Sequence, residues 1–270
     1  MKIKAKAKIN LSLNVVGLSN GYHDLESVVT EIDLSDKLTA KKSDKIIIDY
    51  GKSFSISPEK DNAYKACKAF CETFSTGGAI IKIKKKIPAK AGLGGSSADA
   101  VGALKAMQKL YKIDYCPQID NILKSVGSDC PVQYAGGYNL MKGRGEVLTK
   151  INSTKTLYFV LICETSGVDT AECFALCDQM QVEQSNNTQL IDYLGGKGQM
   201  PPLKNALYNP ATILNIAVKQ NYELLQNYFD RVNMTGSGSA VYGVTQNKSH
   251  AKAVYKKLKR QGKSVIFTHN

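Results

Sequence analysis

Apolar and polar positions alternate over residues 1–16. Ile3, Ala5, Ala7, Ile9, Leu11, Leu13 and Val15 fall on one side, and Lys4, Lys6, Lys8, Asn10, Ser12 and Asn14 on the other. A period of two is that of a strand with one buried face. Asn20-Gly21 marks a turn. Strands are then expected at 27–34, 45–50 and 79–87. Residues 62–73 have helical spacing, with Ala63, Ala66, Cys67, Phe70 and Cys71 on one side. Helices are expected at 97–111 and 118–126, and a hairpin at 138–148 around Gly143 and Gly145.

The texture changes near residue 152. An apolar strand is expected at 157–163 and a helix at 170–180. A stretch rich in Gln, Asn, Gly and Pro follows at 184–202, with weak periodicity. Residues 209–228 read as mostly helical, 238–244 as a strand, 249–260 as a helix and 264–268 as a last strand. Strands precede the first helices, and the chain closes strand–helix–strand. That pattern predicts an α+β protein of two domains, 1–152 and 153–270, rather than one doubly wound sheet.

Composition adds a sign. The chain carries 36 Lys+Arg against 23 Asp+Glu, a net +13. Such a surplus favours an anionic partner: nucleic acid, membrane surface or phosphorylated small molecule. Seven cysteines without a CxxC pair read as buried thiols of a reducing compartment. The longest apolar run, 157–163, is too short to span a bilayer, and no signal-peptide core precedes it. The reading is a cytoplasmic enzyme or binding protein.

The chemistry concentrates in Pro88-Ala89-Lys90-Ala91-Gly92-Leu93-Gly94-Gly95-Ser96-Ser97-Ala98-Asp99-Ala100. A strand feeds a glycine loop that opens a helix. Glycines let backbone amides approach an anion, and the helix N-terminus adds partial positive charge. The loop is neither a Walker loop nor a dinucleotide fingerprint. It suits a phosphate chain, or else it is a tight turn in which Ser96 and Asp99 form a capping box. Lys8, Asn10 and Ser12 are either a solvated strand face or a lysine set beneath a reacting group. Asp129, ahead of Cys130-Pro131, is either a helix cap or a carboxylate that takes a proton from an alcohol. Thr235-Gly236-Ser237-Gly238-Ser239-Ala240 is a second small-residue loop, either a connection or a backbone packed against a ligand. Residues 248–263 hold seven basic side chains and no acid. They read as a solvated helix face, with nucleic-acid binding as the sharper alternative.

Five segments in order, Ala7-Lys8-Ile9-Asn10-Leu11, Gly21-Tyr22-His23, the glycine loop, Gly127-Ser128-Asp129-Cys130-Pro131-Val132 and Gly143-Arg144-Gly145-Glu146, resemble the GHMP kinases. This is the superfamily of galactokinase, homoserine kinase and mevalonate kinase. Within it, the pattern is similar to kinases that phosphorylate the 2-hydroxyl of a cytidine-diphosphate sugar alcohol in non-mevalonate isoprenoid synthesis. The resemblance implies an N-terminal domain like part of a ribosomal protein and a ferredoxin-like C-terminal domain. It implies ATP and Mg²⁺ as cofactors, with Lys8 and Asp129 catalytic. Pro88, Gly92, Leu93, Gly94, Gly95, Ser96 and Ser97 would line the phosphate site. Asn10, Tyr22, His23, Thr170 and Phe174 would meet the acceptor, Phe174 closing over the cytosine. No protein metal ligand is implied. The partners would be the two small substrates, without nucleic acid or membrane, in a monomer or weak homodimer. Ser96 stands where the family usually has a third glycine, and Ala98 where it often has serine. Another GHMP kinase and a basic RNA-binding protein are the rival readings. The first lacks a use for Gly-Tyr-His, and the second lacks aromatics on the first strand.

Overall fold

The computed structural model describes residues 1–19, 21–51, 56–164, 166–182 and 184–270. They form two compact units, each assembled from separated stretches of chain: Met1–Ala7, Leu34–Ile87 and Gly94–Ala135 in one, Lys8–Asp33, Pro88–Leu93 and Gly136–Asn270 in the other. Two strands run through both, β1 (Lys2–Asn10) and β3 (Tyr22–Ser43), and they pair with each other.

In the first unit, β3 pairs antiparallel with β5 (Gly78–Lys84), from Lys37 opposite Lys84 to Ser43 opposite Gly78. β4 (Ile47–Asp49) joins β5 in parallel. Helices α1 (Asn62–Phe74), α2 (Gly95–Tyr111), α3 (Pro117–Val126) and α4 (Cys130–Ala135) complete it. Asp61 caps α1 by accepting from the Ala63 amide, and Ala63, Ala66, Cys67 and Phe70 are its buried stripe. α2 is buried on nearly every side, because Ala98, Ala100, Ala103, Ala106 and Gly102 keep it thin. A Cβ on Gly102 would stand 2.9 Å from Leu38 and 3.0 Å from Ala5. Glycine there lets α2 lie flat on β1 and β3.

In the second unit, β2 (Asn14–Ser19) pairs with the start of β3, with a bulge between Val15 and Gly17. β6 (Tyr138–Gly143) pairs β3 from the other side, and β7 (Val147–Lys150) completes the predicted hairpin. Gly21 has a φ of 75°, as a turn requires, while its partner Asn20 lies outside the described residues. A second, antiparallel sheet has the order β11 (Val265–His269), β8 (Tyr158–Ile162), β10 (Val241–Thr245), β9 (Val232–Met234). Helices α5 (Thr170–Cys177), α6 (Asn187–Leu194), α7 (Tyr208–Leu214) and α8 (Ile216–Gln226) come between β8 and β9, and α9 (Lys248–Arg260) between β10 and β11. Numbered within the sheet, the strand order is 4-1-3-2 with helical crossovers, the ferredoxin-like arrangement. Its core joins Val160, Ile162, Leu225, Phe229, Val241 and Leu258.

The elements depart from the sequence expectations: the alternation over 1–16 divides into β1 and β2 between Asn10 and Asn14, α4 and β9 arise where no element was expected, and three further differences have local causes. β3 runs for 22 residues instead of stopping at Leu34. The helix expected at 209–228 breaks at Asn215, whose side chain accepts from the Ala217 amide and starts α8 afresh. The weakly periodic 184–202 contains α6, capped by Asn186.

Candidate active site

The polar side of β1 is solvated only at its beginning. Lys8 is 4% exposed and Asn10 1%. A buried ammonium needs partners to offset lost hydration. Lys8 Nζ donates to Asn10 Oδ1 at 2.6 Å. The same oxygen accepts from Thr235 Oγ1 at 3.2 Å and from the Gly236 amide at 3.0 Å. Asn10 Nδ2 donates to Ser27 Oγ at 2.8 Å, and the Asn10 backbone amide to Thr235 Oγ1 at 3.0 Å. Asn10 therefore anchors the lysine, Ser27 of β3 and the small-residue loop at 235–240.

That loop also holds the glycine loop. Thr235 Oγ1 donates to the Gly92 carbonyl, and the Ala240 amide to the Ala91 carbonyl. Lys8 N–H donates to the Leu93 carbonyl at 3.1 Å. Gly92 has a φ of 70°, and a Cβ there would fall 2.0 Å from the Thr235 carbonyl oxygen. Leu93 is buried and pins the turn. α2 then begins at Gly95, with Gly94 at φ 68° as its N-cap and no side chain capping it. The capping box is absent: Asp99 turns to Lys85 instead. The first amides of a helix, here those of Gly95, Ser96 and Ser97, have no partner within it, and a glycine cap leaves them open to an anion. Ser96 is exposed and Ser97 buried; Pro88 is half-buried at the loop's start.

Asp129 lies just before α4, its carbonyl accepting from the Gln133 amide at 3.1 Å, which is the N-cap position. The neighbouring backbone is close to the start of α2: a Cβ on Gly127 would lie 3.4 Å from Ser97 Oγ. Cys130 is hydrogen-bonded to Ser97. Burial pushes its thiol up to about 12, against a smaller opposing pull from that bond. It is a packed thiol and not a nucleophile.

Below α2 lies a buried triad that the sequence reading did not single out. Lys85 Nζ donates to Asp36 and to Asp99, both at 2.5 Å. Asp36, wholly buried, also accepts from the amides of Lys86 and Ile87. Asp99 Oδ1 has no hydrogen-bond partner. Burial raises the Asp99 carboxyl to about 7, with Lys85 opposing and Asp36 reinforcing the rise. Below about pH 7 the raised Asp99 carboxyl therefore holds a proton.

At the other predicted end, His23 stacks on Phe174, ring centroids 4.5 Å apart at 23°. His23 Nε2 is 2.7 Å from Asp178 Oδ1, one turn beyond Phe174. Adjacent strand residues point to opposite sides, so Tyr22 is elsewhere. It is 53% exposed, with the Arg144 guanidinium 3.5 Å from its ring centroid. Thr170 Oγ1 bonds Ser237 Oγ at 2.8 Å, which ties the start of α5 to the small-residue loop.

The chain matches the family descriptions "GHMP kinases N terminal domain" over residues 61–137 and "GHMP kinases C terminal" over 197–264. It is 34% identical to a 4-diphosphocytidyl-2-C-methyl-D-erythritol kinase of Clostridium tetani, over 99% of both chains. The chain belongs to the 4-diphosphocytidyl-2-C-methyl-D-erythritol kinases, within the GHMP kinases. A member of this family from Clostridium beijerinckii is 33% identical over 99% of both chains. A crystal structure of a 4-(cytidine 5'-diphospho)-2C-methyl-D-erythritol kinase superposes with a TM-score of 0.84 at 26% identity, covering 100% of this chain and 98% of that one. The mevalonate kinase of Methanococcus jannaschii shares the GHMP fold, with a TM-score of 0.71 at 16% identity over 99% and 97% of the two chains.

Sequence reading of this GHMP kinase left out Thr235, Gly236 and Ser27 as anchors of Asn10, and Arg144 and Asp178 as partners of the Tyr22-His23 pair. Only the spacing of Phe174 and Asp178, four residues apart, offered a signal, since it puts both on one side of a helix. Among the described residues no three His, Cys, Asp or Glu side chains gather into a metal site. No helix among the described residues is long and apolar enough to cross a membrane.

Proposed function

We propose that this chain transfers the γ-phosphoryl group of ATP to the 2-hydroxyl of 4-diphosphocytidyl-2-C-methyl-D-erythritol. The end-to-end likeness to kinases named for that substrate carries the reading, and the site chemistry supports it. Phosphoryl transfer asks for positioning and charge stabilisation more than covalent help. The uncapped amides of Gly95, Ser96 and Ser97, after the turn formed by Pro88, Gly92, Leu93 and Gly94, bind phosphate oxygens. The Asp129 carboxylate takes the proton of the acceptor hydroxyl. The Lys8 ammonium, fixed by Asn10, stabilises negative charge as it develops. Mg²⁺ on the nucleotide would neutralise phosphate charge, with Ser97 and Asp129 as the protein oxygens suited to it. His23, Phe174 and Thr170 hold the cytidine end; Tyr22, on the other side of the strand against Arg144, is not among them. The same reading keeps 1–152 and 153–270 as the two domains, in a monomer or weak homodimer in the cytoplasm.

The test is turnover of the purified protein with ATP and Mg²⁺ on the cytidine-diphosphate alcohol, mevalonate and homoserine in parallel. Turnover of the first alone is expected. Phosphorylation of either simple alcohol with none of the cytidyl substrate would sink the assignment.

A further inference from the structure

The basic stretch at 248–263 takes no part in the reaction above. Asn247 caps α9, and Ala251, Val254 and Leu258 are its buried stripe, which leaves all seven cations of the stretch exposed. Lys248, Lys252, Tyr255 and Lys259 follow one another at spacings of four, three and four, so they share one side of the helix. Three half-buried rings accompany them. Tyr158 of β8 and Phe267 of the edge strand β11 are nearly parallel, 6.2 Å apart at 7°, and Tyr255 follows Phe267 at 6.2 Å and 49°. Each ring has a lysine over it: Lys248 at 5.8 Å from Tyr158, Lys252 at 6.0 Å from Phe267 and Lys259 at 5.6 Å from Tyr255. Among the described residues none of the seven cations pairs with a carboxylate.

A basic helix face is ordinarily just solvated, and two local effects account for part of this one. Lysine stems rest on aromatic rings, and Lys257, Lys259 and Arg260 in the last turn offset the helix dipole. Lys248 is at the wrong end for that. It is the first residue of α9, where the dipole disfavours a cation, and the first turn holds no acid. Repulsion along such a stripe is relieved when a polyanion lies on it. From Lys248 to Lys259 is roughly 16 Å at helical rise, the length of about five phosphates of one nucleic-acid strand. The rings choose among polyanions. A helix that lies on a membrane presents large apolar side chains to it. Among the described residues no large apolar side chain of α9 or β11 is exposed. Paired bases hide their faces, whereas unpaired bases stack on aromatic rings beside a basic track. We propose that this side of α9, with Tyr158 and Phe267, is a binding surface for single-stranded nucleic acid, a second function besides phosphoryl transfer.

The test titrates the full-length protein into a short fluorescein-labelled oligouridine and reads anisotropy, with ATP present to occupy the phosphate loop. Saturable binding is expected. Its log K should fall against log salt with a slope of about −2, three lysine contacts at about −0.7 each. Lys248→Gln with Lys252→Gln and Lys259→Gln should weaken binding by about tenfold or more and flatten that slope. All three are exposed and outside the kinase site, so this triple variant should keep its melting temperature and its turnover. Tyr255→Leu removes a ring and keeps an apolar contact. It should cost about tenfold in affinity and leave the salt slope unchanged, the mark of a lost stacked base. Phe267→Leu asks the same of the neighbouring strand, so a failure of either variant to fold leaves the other to decide. The proposal is overturned if the oligonucleotide does not bind, or if the triple variant binds it like its parent. It is also overturned if both ring variants bind like the parent while inorganic polyphosphate competes as well as RNA, which would make the stripe a general polyanion surface. Binding of anionic lipid vesicles without binding of the oligonucleotide would overturn it too.

Discussion

A carboxylate that only capped α4 would tolerate asparagine, since both side chains accept from first-turn amides. Asp129→Asn therefore separates a cap from a proton acceptor. We expect kcat to fall by ~10²–10⁴ with the melting temperature nearly unchanged, measured by steady-state turnover and thermal unfolding. Near-normal turnover would reduce Asp129 to its structural role. Gly92 makes the opposite case, a residue whose absent side chain is its contribution. Its φ of 70° and the 2.0 Å approach of a Cβ to the Thr235 carbonyl make alanine costly twice over. Gly92→Ala should lose about 2 kcal/mol or more in denaturant unfolding and raise the KM for ATP. A variant as stable as its parent would mean that the loop at 235–240 moves aside freely.

At the scale of elements, α2 is held by the Lys85 triad, and its proton has a pH signature. The Asp99 carboxyl is raised from its ordinary value near 3.8 to about 7 by burial. The folded state then binds a proton that the unfolded state has released, so this group's stabilisation declines as pH rises from about 4 towards 7. Asp99→Asn keeps the shape of the protonated form. It should match the parent near pH 4, gain on it as pH rises, and exceed it in melting temperature near pH 8; parallel curves across that span would remove the proton from Asp99. Removing the ammonium is harsher. Lys85→Met leaves two carboxyls sharing one buried space and should cost ~3–5 kcal/mol. None of this triad was legible in the chain, because Asp36 and Asp99 stand 49 and 14 residues from Lys85. β1 was legible from alternation, and α1, α2, α3 and α9 from apolar spacing. β3 was underestimated because Asp33, Ser35, Asp36 and Lys37 read as a polar end to a strand, whereas Asp36 is buried against Lys85. α6 was hidden because its start depends on the Asn186 cap rather than on an apolar stripe. The glycine loop, Lys8 and Asp129 were visible as a pattern. Which atoms hold Lys8 was not, since Asn10 and Thr235 are 225 residues apart.

For the whole molecule, one consequence follows from the surplus of +13. Both proposed substrates are polyanions, and attraction to a positive protein is screened beyond about 10 Å at 0.1 M salt. Raising NaCl from about 50 to about 500 mM should raise both KM values more than it lowers kcat. A kcat effect alone would place the charge dependence in the chemical step. The other consequence comes from where the bonds to Asn10 originate. The strand that bears Lys8 leaves the ribosome well before the Thr235 and Gly236 groups that close around Asn10, which lie 225 and 226 residues further along the chain. A nascent chain halted before Thr235 cannot complete this knot of contacts, however well its earlier helices have formed. Such long closures slow folding, because chain entropy is lost before the contact is gained. Lys8 of a ribosome-bound fragment ending at residue 230 should accordingly react with an amine-specific acylating reagent, whereas in the released protein it should be shielded. Activity would then appear as a late, abrupt event in translation, with no partially active intermediate to be trapped on the way.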